Sequence, residues 1–298
     1  MATGSRTSSF GTNARINHDS SSYYNSRLYS ELSTHNDQEI GADNMFPREL
    51  KNSIILGSSE NMEDIPDNST HLMVTSPPYN VSKEYDHDLS LQEYIDMLYK
   101  VFSETYRVLV NGGRACINIA NIGRKPYIAL TDYITPMMND VGFLMRGEII
   151  WNKGAGAGVS MAWGSWKSAS NPVLRDVHEY ILVFSKGSYK REKSKHSEST
   201  IEKEQFMQWT KSIWSMNTES AKNIGHPAPF PVELPFRLIQ LYTYKNDVIL
   251  DPFMGSGSTA IAALKSNRYY IGYDIEPEYL KLAEDRIRPY KRQIRMDL

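Results

Sequence analysis

The sequence predicts an α/β fold, a doubly wound and mostly parallel sheet of seven strands with helices on both faces. Short runs of β-branched and aliphatic residues alternate along the chain with stretches of helical periodicity. Strands that alternate with helices form parallel sheets, because each crossover helix returns the chain to the same edge. The predicted strands cover residues 53–57, 71–75, 114–121, 147–151, 179–184, 248–251 and 268–274.

Capping signals and apolar spacing predict the helices between these strands. Ser90 and Glu93 form a capping-box pair ahead of apolar residues at helical spacing through Leu109, and Gly112 with Gly113 is predicted to end this helix. The other predicted helices cover about 127–140, interrupted by Pro136, then 232–244, a stretch from about 257, and a last helix that contains Leu280 and Leu282.

Length and composition fit one large α/β domain. The chain has 298 residues, of which 40% are hydrophobic and 23% charged, with a formal net charge of −2. The domain is predicted at 46–290, with an inserted region at 187–222. Residues 1–45 are rich in Ser, Asn and Thr and are predicted to be a disordered or loosely attached extension. Residues 291–298 are predicted to be a basic tail.

Membrane proteins, secreted proteins and disulfide scaffolds are disfavoured by the sequence. It contains no apolar run long enough to span a bilayer, and its N-terminus lacks the apolar segment of a secretory signal. The single cysteine, Cys116, cannot form an internal disulfide, and within a predicted strand it is expected to be a buried core thiol. His178 and His226 lack paired ligand spacing, so no metal site is predicted. An intracellular, reducing compartment fits best.

A glycine-rich loop, DPFMGSGST at 251–259, follows a predicted strand and precedes a predicted helix. Gly255 and Gly257 let the backbone approach a ligand closely, and the helix behind them presents free N–H groups. Asp274 ends the next strand, where a carboxylate can accept hydrogen bonds from two ribose hydroxyls. These features predict a site for a nucleoside-bearing cofactor. G-x-G-x-x-A also matches the dinucleotide fingerprint, so NAD is an alternative, as is a tight turn without a ligand.

A second loop, TSPPYN at 75–80, also follows a predicted strand. Pro77 and Pro78 fix φ at about −65° and remove two backbone N–H donors, so this segment is predicted to be a stiff loop. The simpler alternative is that the prolines only terminate the strand. Because both loops follow strands of one parallel sheet, they are expected to open onto the same edge, where such sheets bind ligands.

Basic and aromatic residues mark three further segments. One basic cluster lies between Lys186 and Lys211, and a second lies in the C-terminal tail from Arg286 to Arg295. Either cluster is suited to phosphate or is solvated surface charge. The Gly- and Ser-rich stretch 154–176 carries Trp163 and Trp166, which either close over a ligand or pack locally.

Taken together and in this order, the two loops resemble a known family. The chain resembles the amino-methylating DNA methyltransferases that use S-adenosylmethionine, in the circularly permuted, beta-class order with the catalytic loop first. DPFMGSGST is similar to the family's cofactor loop, TSPPYN to its catalytic loop, and HPAPFP at 226–231 to the segment that completes the methionine pocket. EIIWNK at 148–153 and HEYILVFSK at 178–186 look like family strands. Family members often carry Asp after the glycine that here is Gly57, whereas this chain has Ser58 and Ser59.

This resemblance implies a Rossmann-like methyltransferase fold and S-adenosyl-L-methionine as cofactor. Residues 187–222, which are basic and contain Trp209 and Trp214, are the candidate for target recognition. The catalytic residues that it implies are Ser76, Pro77, Pro78 and Tyr79. The implied cofactor-binding residues are Asp251, Pro252, Phe253, Gly255, Gly257, Ser258, Thr259, Asp274, Ile275, His226, Pro227, Phe230 and Pro231. The candidate DNA-binding residues are Asn80, Trp163, Trp166, Lys190, Arg191 and Lys193.

The implied chemistry gives these residue types a purpose. An exocyclic amine is a poor nucleophile, and Ser76 Oγ with the Pro77 carbonyl is expected to accept its two hydrogens and orient its lone pair. Tyr79 offers a flat face for a base extruded from the duplex. Methylation at cytosine C5 would need a cysteine nucleophile, which a core thiol at Cys116 does not provide.

The expected activity is therefore site-specific methylation of double-stranded DNA. In the family S-P-P-Y is usual for cytosine N4 and D/N-P-P-Y for adenine N6, so cytosine N4 is favoured and adenine N6 is the alternative. A nicotinamide-dependent oxidoreductase and a catalytically silent DNA-binding module are the other options. The protein is expected with DNA, in the bacterial cytoplasm or nucleoid or in a nucleus, without a membrane partner. A homodimer is one oligomeric state that the sequence leaves open.

Overall fold

The computed structural model describes residues 26–30, 41–79, 89–123, 125–154, 167–195, 197–219, 224 and 230–296. The chain divides into two units, Met1–Glu39 and Ile40–Leu298. In the first unit the described residues form one short helix, α1 (Arg27–Ser30). Among the described residues of the second unit, Phe46 is the first buried side chain. The boundaries predicted at 45 and 290 stay predictions.

An eight-stranded sheet lies at the centre of the second unit. Its strands are β1 (Ser53–Leu56), β2 (Thr70–Thr75), β3 (Leu109–Ile119), β4 (Phe143–Asn152), β5 (His178–Lys186), β6 (Ile213–Ser215), β7 (Val248–Asp251) and β8 (Tyr269–Asp274). Their order across the sheet is β1-β8-β7-β2-β3-β5-β4-β6. All neighbours pair in parallel except β5, which is antiparallel to both β3 and β4. The predicted mostly parallel α/β sheet is confirmed, and β6 is a strand beyond the seven predicted.

Helices cover both faces of the sheet. They are α2 (Leu91–Val108), α3 (Leu130–Val141), α4 (Lys203–Trp209), α5 (Glu233–Tyr242), α6 (Ser258–Lys265) and α7 (Pro277–Met296). Side chains alternate between the two faces along a strand, and so β2 divides its own between two cores. Met73 packs in one core with buried residues of α2 and α3, whereas Leu72 and Val74 pack in the other with those of α5, α6 and α7. This arrangement is the predicted double winding.

The helix α2 begins with the capping box that the sequence predicts. Ser90 Oγ accepts a hydrogen bond from the Glu93 N–H at 3.3 Å, and the Glu93 carboxylate accepts one from the Ser90 N–H at 2.8 Å. These two bonds satisfy backbone donors that the first turn of a helix leaves without partners. Its buried stripe, from Tyr94 to Val108, packs on the sheet.

The strand β3 begins earlier than predicted. Gly112 and Gly113 do not end α2, since the helix ends at Val108 and β3 passes through both glycines. The pairing register shifts there, with Thr70 opposite Leu109 but Leu72 opposite Arg114, so β3 carries extra residues at a bulge. Gly112 supplies the left-handed conformation that this bulge requires, with φ of 71°.

In the described part of the chain, no helix is both long and apolar enough to cross a membrane.

We expect Gly112→Ala to lower the free energy of unfolding by about 1–3 kcal/mol, because φ is positive and the new methyl group meets backbone. A Cβ at this position would lie 2.7 Å from both Arg191 Cα and the Lys190 carbonyl oxygen. Urea unfolding followed by circular dichroism measures the change. Gly57→Ala is the control, since its Cβ would meet no atom within 4 Å. Equal stability of the two variants would contradict this account of the bulge.

Candidate active site

The two loops singled out in the sequence line one cavity of about 610 Å³. The cavity lies at the carboxyl edge of the sheet, because β1, β8, β7 and β2 are adjacent parallel strands whose following loops emerge together. The residues of these loops that line it are Gly57, Ser58, Ser59, Glu60, Ser76, Pro77, Pro78, Tyr79, Pro252, Phe253, Met254, Gly255, Ser256, Asp274, Ile275 and Glu276. Side chains of α2, Tyr279 of α7, Leu89, Phe230 and Ser258 also line it. The expectation that the two loops share an edge is confirmed.

Buried hydrogen bonds around Asp251 hold the loops together. Thr75 Oγ1 donates to Asp251 Oδ1 at 2.7 Å, and the Phe253 N–H donates to the same oxygen at 3.1 Å. Ser59 Oγ donates to the Pro252 carbonyl oxygen at 2.9 Å and ties the loop after β1 to the same point. Burial raises the pKa of Asp251 to about 7, against the opposing effect of the hydrogen bonds that it accepts.

The glycine loop is shaped by its contacts with α7 and Asp274. Gly257 precedes α6 with φ of 79°, and a Cβ there would lie 3.1 Å from Ala283 Cβ and from Ile287 Cδ1. Asp274 Oδ2 accepts from the Gly255 N–H at 2.8 Å, and its Oδ1 accepts from the Glu276 N–H at 2.9 Å. Each carboxylate oxygen keeps capacity for a second donor. Burial raises the pKa of Asp274 above its ordinary value.

A polar cluster that was not predicted from the sequence lies behind Ser76 and Tyr79. Tyr79 OH lies 3.2 Å from Ser76 Oγ and donates to Glu179 Oε2 at 3.1 Å. Asn118 Nδ2 donates to Glu179 Oε2 at 2.5 Å, and Lys153 Nζ lies 2.6 Å from Glu179 Oε1. Asn118 lies on β3 and Glu179 on β5, and polar residues inside such apolar strands are the signal that could have identified them.

The remaining predicted cofactor and base contacts fall into three groups. Phe230 and Ser258 line the cavity with the loop residues, whereas Asp251, Gly257, Thr259 and Pro231 are buried outside its wall. His226, Pro227, Asn80, Trp163 and Trp166 lie outside the described residues. Their assigned roles stay predictions.

The predicted DNA-binding residues Lys190, Arg191 and Lys193 follow β5 on the edge of the sheet opposite the cavity, and their DNA-binding role stays a prediction. Because β5 runs against the other strands, the chain leaves it at Lys186, on the amino edge of the sheet and away from the cavity. Arg191 there forms a bidentate ion pair with Asp247, which precedes β7, with Nη2 3.0 Å from Oδ1. The candidate region 187–222 returns to the carboxyl half of the sheet only at β6, which pairs with the end of β4.

The surroundings of Cys116 and His178 indicate packing roles for both side chains. Cys116 is fully buried in β3, and burial raises the pKa of its thiol, which confirms a core position. The ring of His178 packs edge-on against Tyr180 with centroids 4.9 Å apart. Within the described ranges, no three His, Cys, Asp or Glu side chains are grouped to hold a metal ion.

Comparisons with known proteins agree with this geometry. A family model described as DNA methylase, N6_N4_Mtase, matches residues 70–285. The type II methyltransferase M.MjaI of Methanocaldococcus jannaschii is 32% identical over 287 residues, covering 82% of this chain and 93% of that protein. M.MthZI of Methanothermobacter thermautotrophicus is 30% identical over 273 residues, covering 78% and 76%.

Solved structures share the fold. TTHA0409 of Thermus thermophilus, in complex with S-adenosyl-L-methionine, matches with a TM-score of 0.65 and 29% identity, covering 80% of this chain and 95% of that one. The PvuII DNA methyltransferase (cytosine-N4-specific) matches with a TM-score of 0.63 and 21% identity, covering 81% and 92%. These findings decide between the cofactors that the glycine loop left open, in favour of S-adenosyl-L-methionine.

The cavity fits that cofactor. Its volume of about 610 Å³ is ample for a nucleoside with an amino-acid side chain. Asp274 is suited to the ribose hydroxyls, and the ring of Phe253 offers an apolar wall. The carboxylates of Glu60, Glu93 and Asp96 also face the cavity and favour a cationic ligand.

We expect Asp274→Ala to weaken binding of S-adenosylhomocysteine by about 1–3 kcal/mol, because the ribose hydroxyls lose a charged acceptor. Isothermal titration calorimetry measures this. Asp274→Asn keeps one acceptor oxygen for the loop and is the variant to use where Ala impairs folding. Asp285→Ala removes an exposed carboxylate of α7 and should leave affinity unchanged. Wild-type affinity in both Asp274 variants would refute the assignment.

We also expect Asp251 to make stability depend on pH. The folded protein keeps this proton up to about pH 7, whereas the unfolded chain releases it near 3.8. The contribution of Asp251 to the free energy of unfolding therefore falls as pH rises from about 4 to about 7. Asp251→Asn has no such proton, so it should lose less stability than the wild type between about pH 5 and about pH 7.5 in urea unfolding. Asp285→Asn, an exposed control, should follow the wild type, and an Asp251→Asn profile parallel to the wild type would count against the shift.

Proposed function

The chain belongs to the N6_N4_Mtase family of DNA methylases, and on this premise we propose that it transfers a methyl group from S-adenosyl-L-methionine to the N4 amine of a flipped cytosine in double-stranded DNA. Adenine N6 is the second candidate, because the family description joins both amines and the names of its relatives specify no base. The relatives are type II methyltransferases, and we propose a restriction–modification context for this chain as well.

The observation that carries the proposal is the shared cavity. Ser76, Pro77 and Tyr79 line it together with the glycine loop and Asp274, so cofactor and base have a common space in which to meet. Bound S-adenosyl-L-methionine supplies an electrophilic methyl group on a sulfonium. Orientation of the two reactants contributes a large part of the rate of such a transfer.

The residues of the chain act on the amine. Ser76 Oγ and the Pro77 carbonyl accept its two hydrogens, which withdraws the lone pair from the ring and directs it towards the methyl group. Pro77 and Pro78 hold these acceptors rigid, and the bond from Thr75 to Asp251 fixes the loop from behind. The ring of Tyr79 stacks on the extruded base.

We propose cytosine rather than adenine as the target base because of Ser76. In the resembling family a serine before the two prolines accompanies cytosine N4, and Asp or Asn accompanies adenine N6. A neutral hydroxyl accepts from either amine, so nucleoside analysis has to decide. Incubation with labelled S-adenosyl-L-methionine and DNA, followed by digestion to nucleosides, should yield N4-methyldeoxycytidine. Recovery of N6-methyldeoxyadenosine alone would overturn the cytosine assignment. Absence of methylation by protein that binds S-adenosylhomocysteine would favour a catalytically silent DNA-binding module.

We expect Ser76→Ala to lower turnover by about 100-fold or more while affinity for S-adenosylhomocysteine stays the same, because the lost acceptor serves the amine rather than the cofactor. Single-turnover transfer and calorimetry separate the two effects. Ser103→Ala is the control, since Ser103 on α2 bonds the Tyr99 carbonyl of its own helix. Wild-type turnover in Ser76→Ala would remove Ser76 from the mechanism.

A further inference from the structure

The polar cluster behind the catalytic loop forms a chain of hydrogen bonds that ends on a carboxylate. It runs from Ser76 Oγ to Tyr79 OH at 3.2 Å and from Tyr79 OH to Glu179 Oε2 at 3.1 Å. Asn118 Nδ2 lies between them, 3.4 Å from Ser76 Oγ, 3.3 Å from Tyr79 OH and 2.5 Å from Glu179 Oε2. The ammonium of Lys153 is 2.6 Å from the other oxygen of Glu179. Only Ser76 and Tyr79 of these residues line the cavity.

Chemistry fixes the direction of the hydrogens along this chain. A carboxylate in an ion pair with Lys153 can only accept, so the single hydrogen of the Tyr79 hydroxyl points to Glu179. Burial, with the Glu179 charge beside it, raises the pKa of Tyr79 and keeps this proton on the phenol. The Tyr79 oxygen is then left to accept, so Ser76 donates its hydrogen to Tyr79. Ser76 Oγ also accepts from Asn118 Nδ2 at 3.4 Å, which leaves its second lone pair for a ligand in the cavity that Ser76 lines.

We propose that Glu179 is a positioning residue which, through Tyr79, fixes Ser76 as a hydrogen-bond acceptor for the target amine and receives the proton that the methylated amine loses. This inference rests on the proposed function only as far as transfer to an exocyclic amine, and holds for cytosine N4 and adenine N6 alike. The carboxylate of Glu179 at the end of the chain keeps both hydroxyls in this orientation. If the hydroxyls reversed, Ser76 would point its own hydrogen at the hydrogens of the amine.

The same chain balances the reaction. When the amine nitrogen bonds to the methyl carbon, the carbon–sulfur bond breaks, its electron pair stays on sulfur, and the nitrogen carries one proton too many. That proton passes to Ser76 Oγ as Ser76 passes its own hydrogen to Tyr79, and Tyr79 passes its own to Glu179. The products are a neutral methylated amine and a carboxylic acid, which returns its proton to water. General base assistance of this kind contributes about 10²–10⁴-fold to a rate.

The substitution Glu179→Gln is expected to reverse the direction of the hydrogen bonds from Glu179 through Tyr79 to Ser76. Lys153 requires an acceptor, so the amide turns its oxygen to Lys153 and its NH₂ group to Tyr79 and Asn118. Asn118 turns its own amide so that its oxygen accepts from this NH₂ group. Tyr79 then donates to Ser76, and Ser76 donates into the cavity. We expect turnover to fall by about 100-fold or more, with unchanged affinity for S-adenosylhomocysteine. Tyr79→Phe keeps the stacking ring and breaks the chain, so it should lose turnover in the same way. It provides the test where Glu179→Gln folds poorly.

A second substitution should restore the direction. In Lys153→Met/Glu179→Gln the amide oxygen is free to face Tyr79 and Asn118, so the double variant should be at least about 10-fold faster than Glu179→Gln. A merely structural role predicts the opposite, because removing a second member of a buried cluster adds damage. Glu148→Gln, an exposed carboxylate on the adjacent strand β4, is the control and should retain wild-type turnover.

Binding gives a readout that is independent of methyl transfer. Once the methylated site is sequenced, duplexes are made in which a carbonyl oxygen replaces the target amine, uracil for cytosine or hypoxanthine for adenine. Wild-type protein should prefer the amine, whereas Glu179→Gln should shift its preference towards the carbonyl, because Ser76 then donates. The ratio of the two affinities is compared between variants, which cancels the effect of the mismatch.

The outcomes separate this inference from the proposed function. Wild-type turnover in Glu179→Gln, a double variant no faster than Glu179→Gln, or an unchanged affinity ratio would each overturn the role of Glu179 while the wild type methylates DNA. A wild type that binds S-adenosylhomocysteine and methylates no base would overturn the proposed function, and this inference with it.

Discussion

The hydrogen bond from Thr75 to Asp251 is the constraint on which the site depends. Its two residues are 176 positions apart in the sequence and 2.7 Å apart in the structure, because they end neighbouring parallel strands. The catalytic loop leaves from one of these residues and the cofactor loop from the other. The relative position of the two loops is thus set by strand pairing across the sheet rather than by sequence order.

Local features of the fold could be predicted, and features set by strand direction could not. Both loops could be predicted from their Pro and Gly residues, because the backbone preferences of these residues act within a few positions. β6 escaped prediction because it has three residues inside a charged segment. The basic cluster around Arg191 could be identified in the sequence, but the edge of the sheet on which it lies depends on the antiparallel direction of β5. The antiparallel direction of β5 also brings Glu179 beside Asn118, a contact that the composition of the sequence does not indicate.

The charges around the cavity suit a ligand whose charge changes during the reaction. Glu60, Glu93, Asp96, Asp274 and Glu276 line it, with Lys100 as the basic side chain among its described lining residues, and Lys100 is paired with Glu60. A sulfonium gains from this surplus of carboxylates, whereas the neutral thioether left after transfer does not. On electrostatic grounds the cavity therefore favours the sulfonium form of the ligand over the neutral thioether.

The antiparallel course of β5 has one more consequence. The chain after Lys186 lies at the amino edge of the sheet, which is the rim opposite the cavity. The ion pair of Arg191 with Asp247 holds the chain there. A change in the length of the chain directly after Arg191 would therefore fall on that rim, away from the cavity.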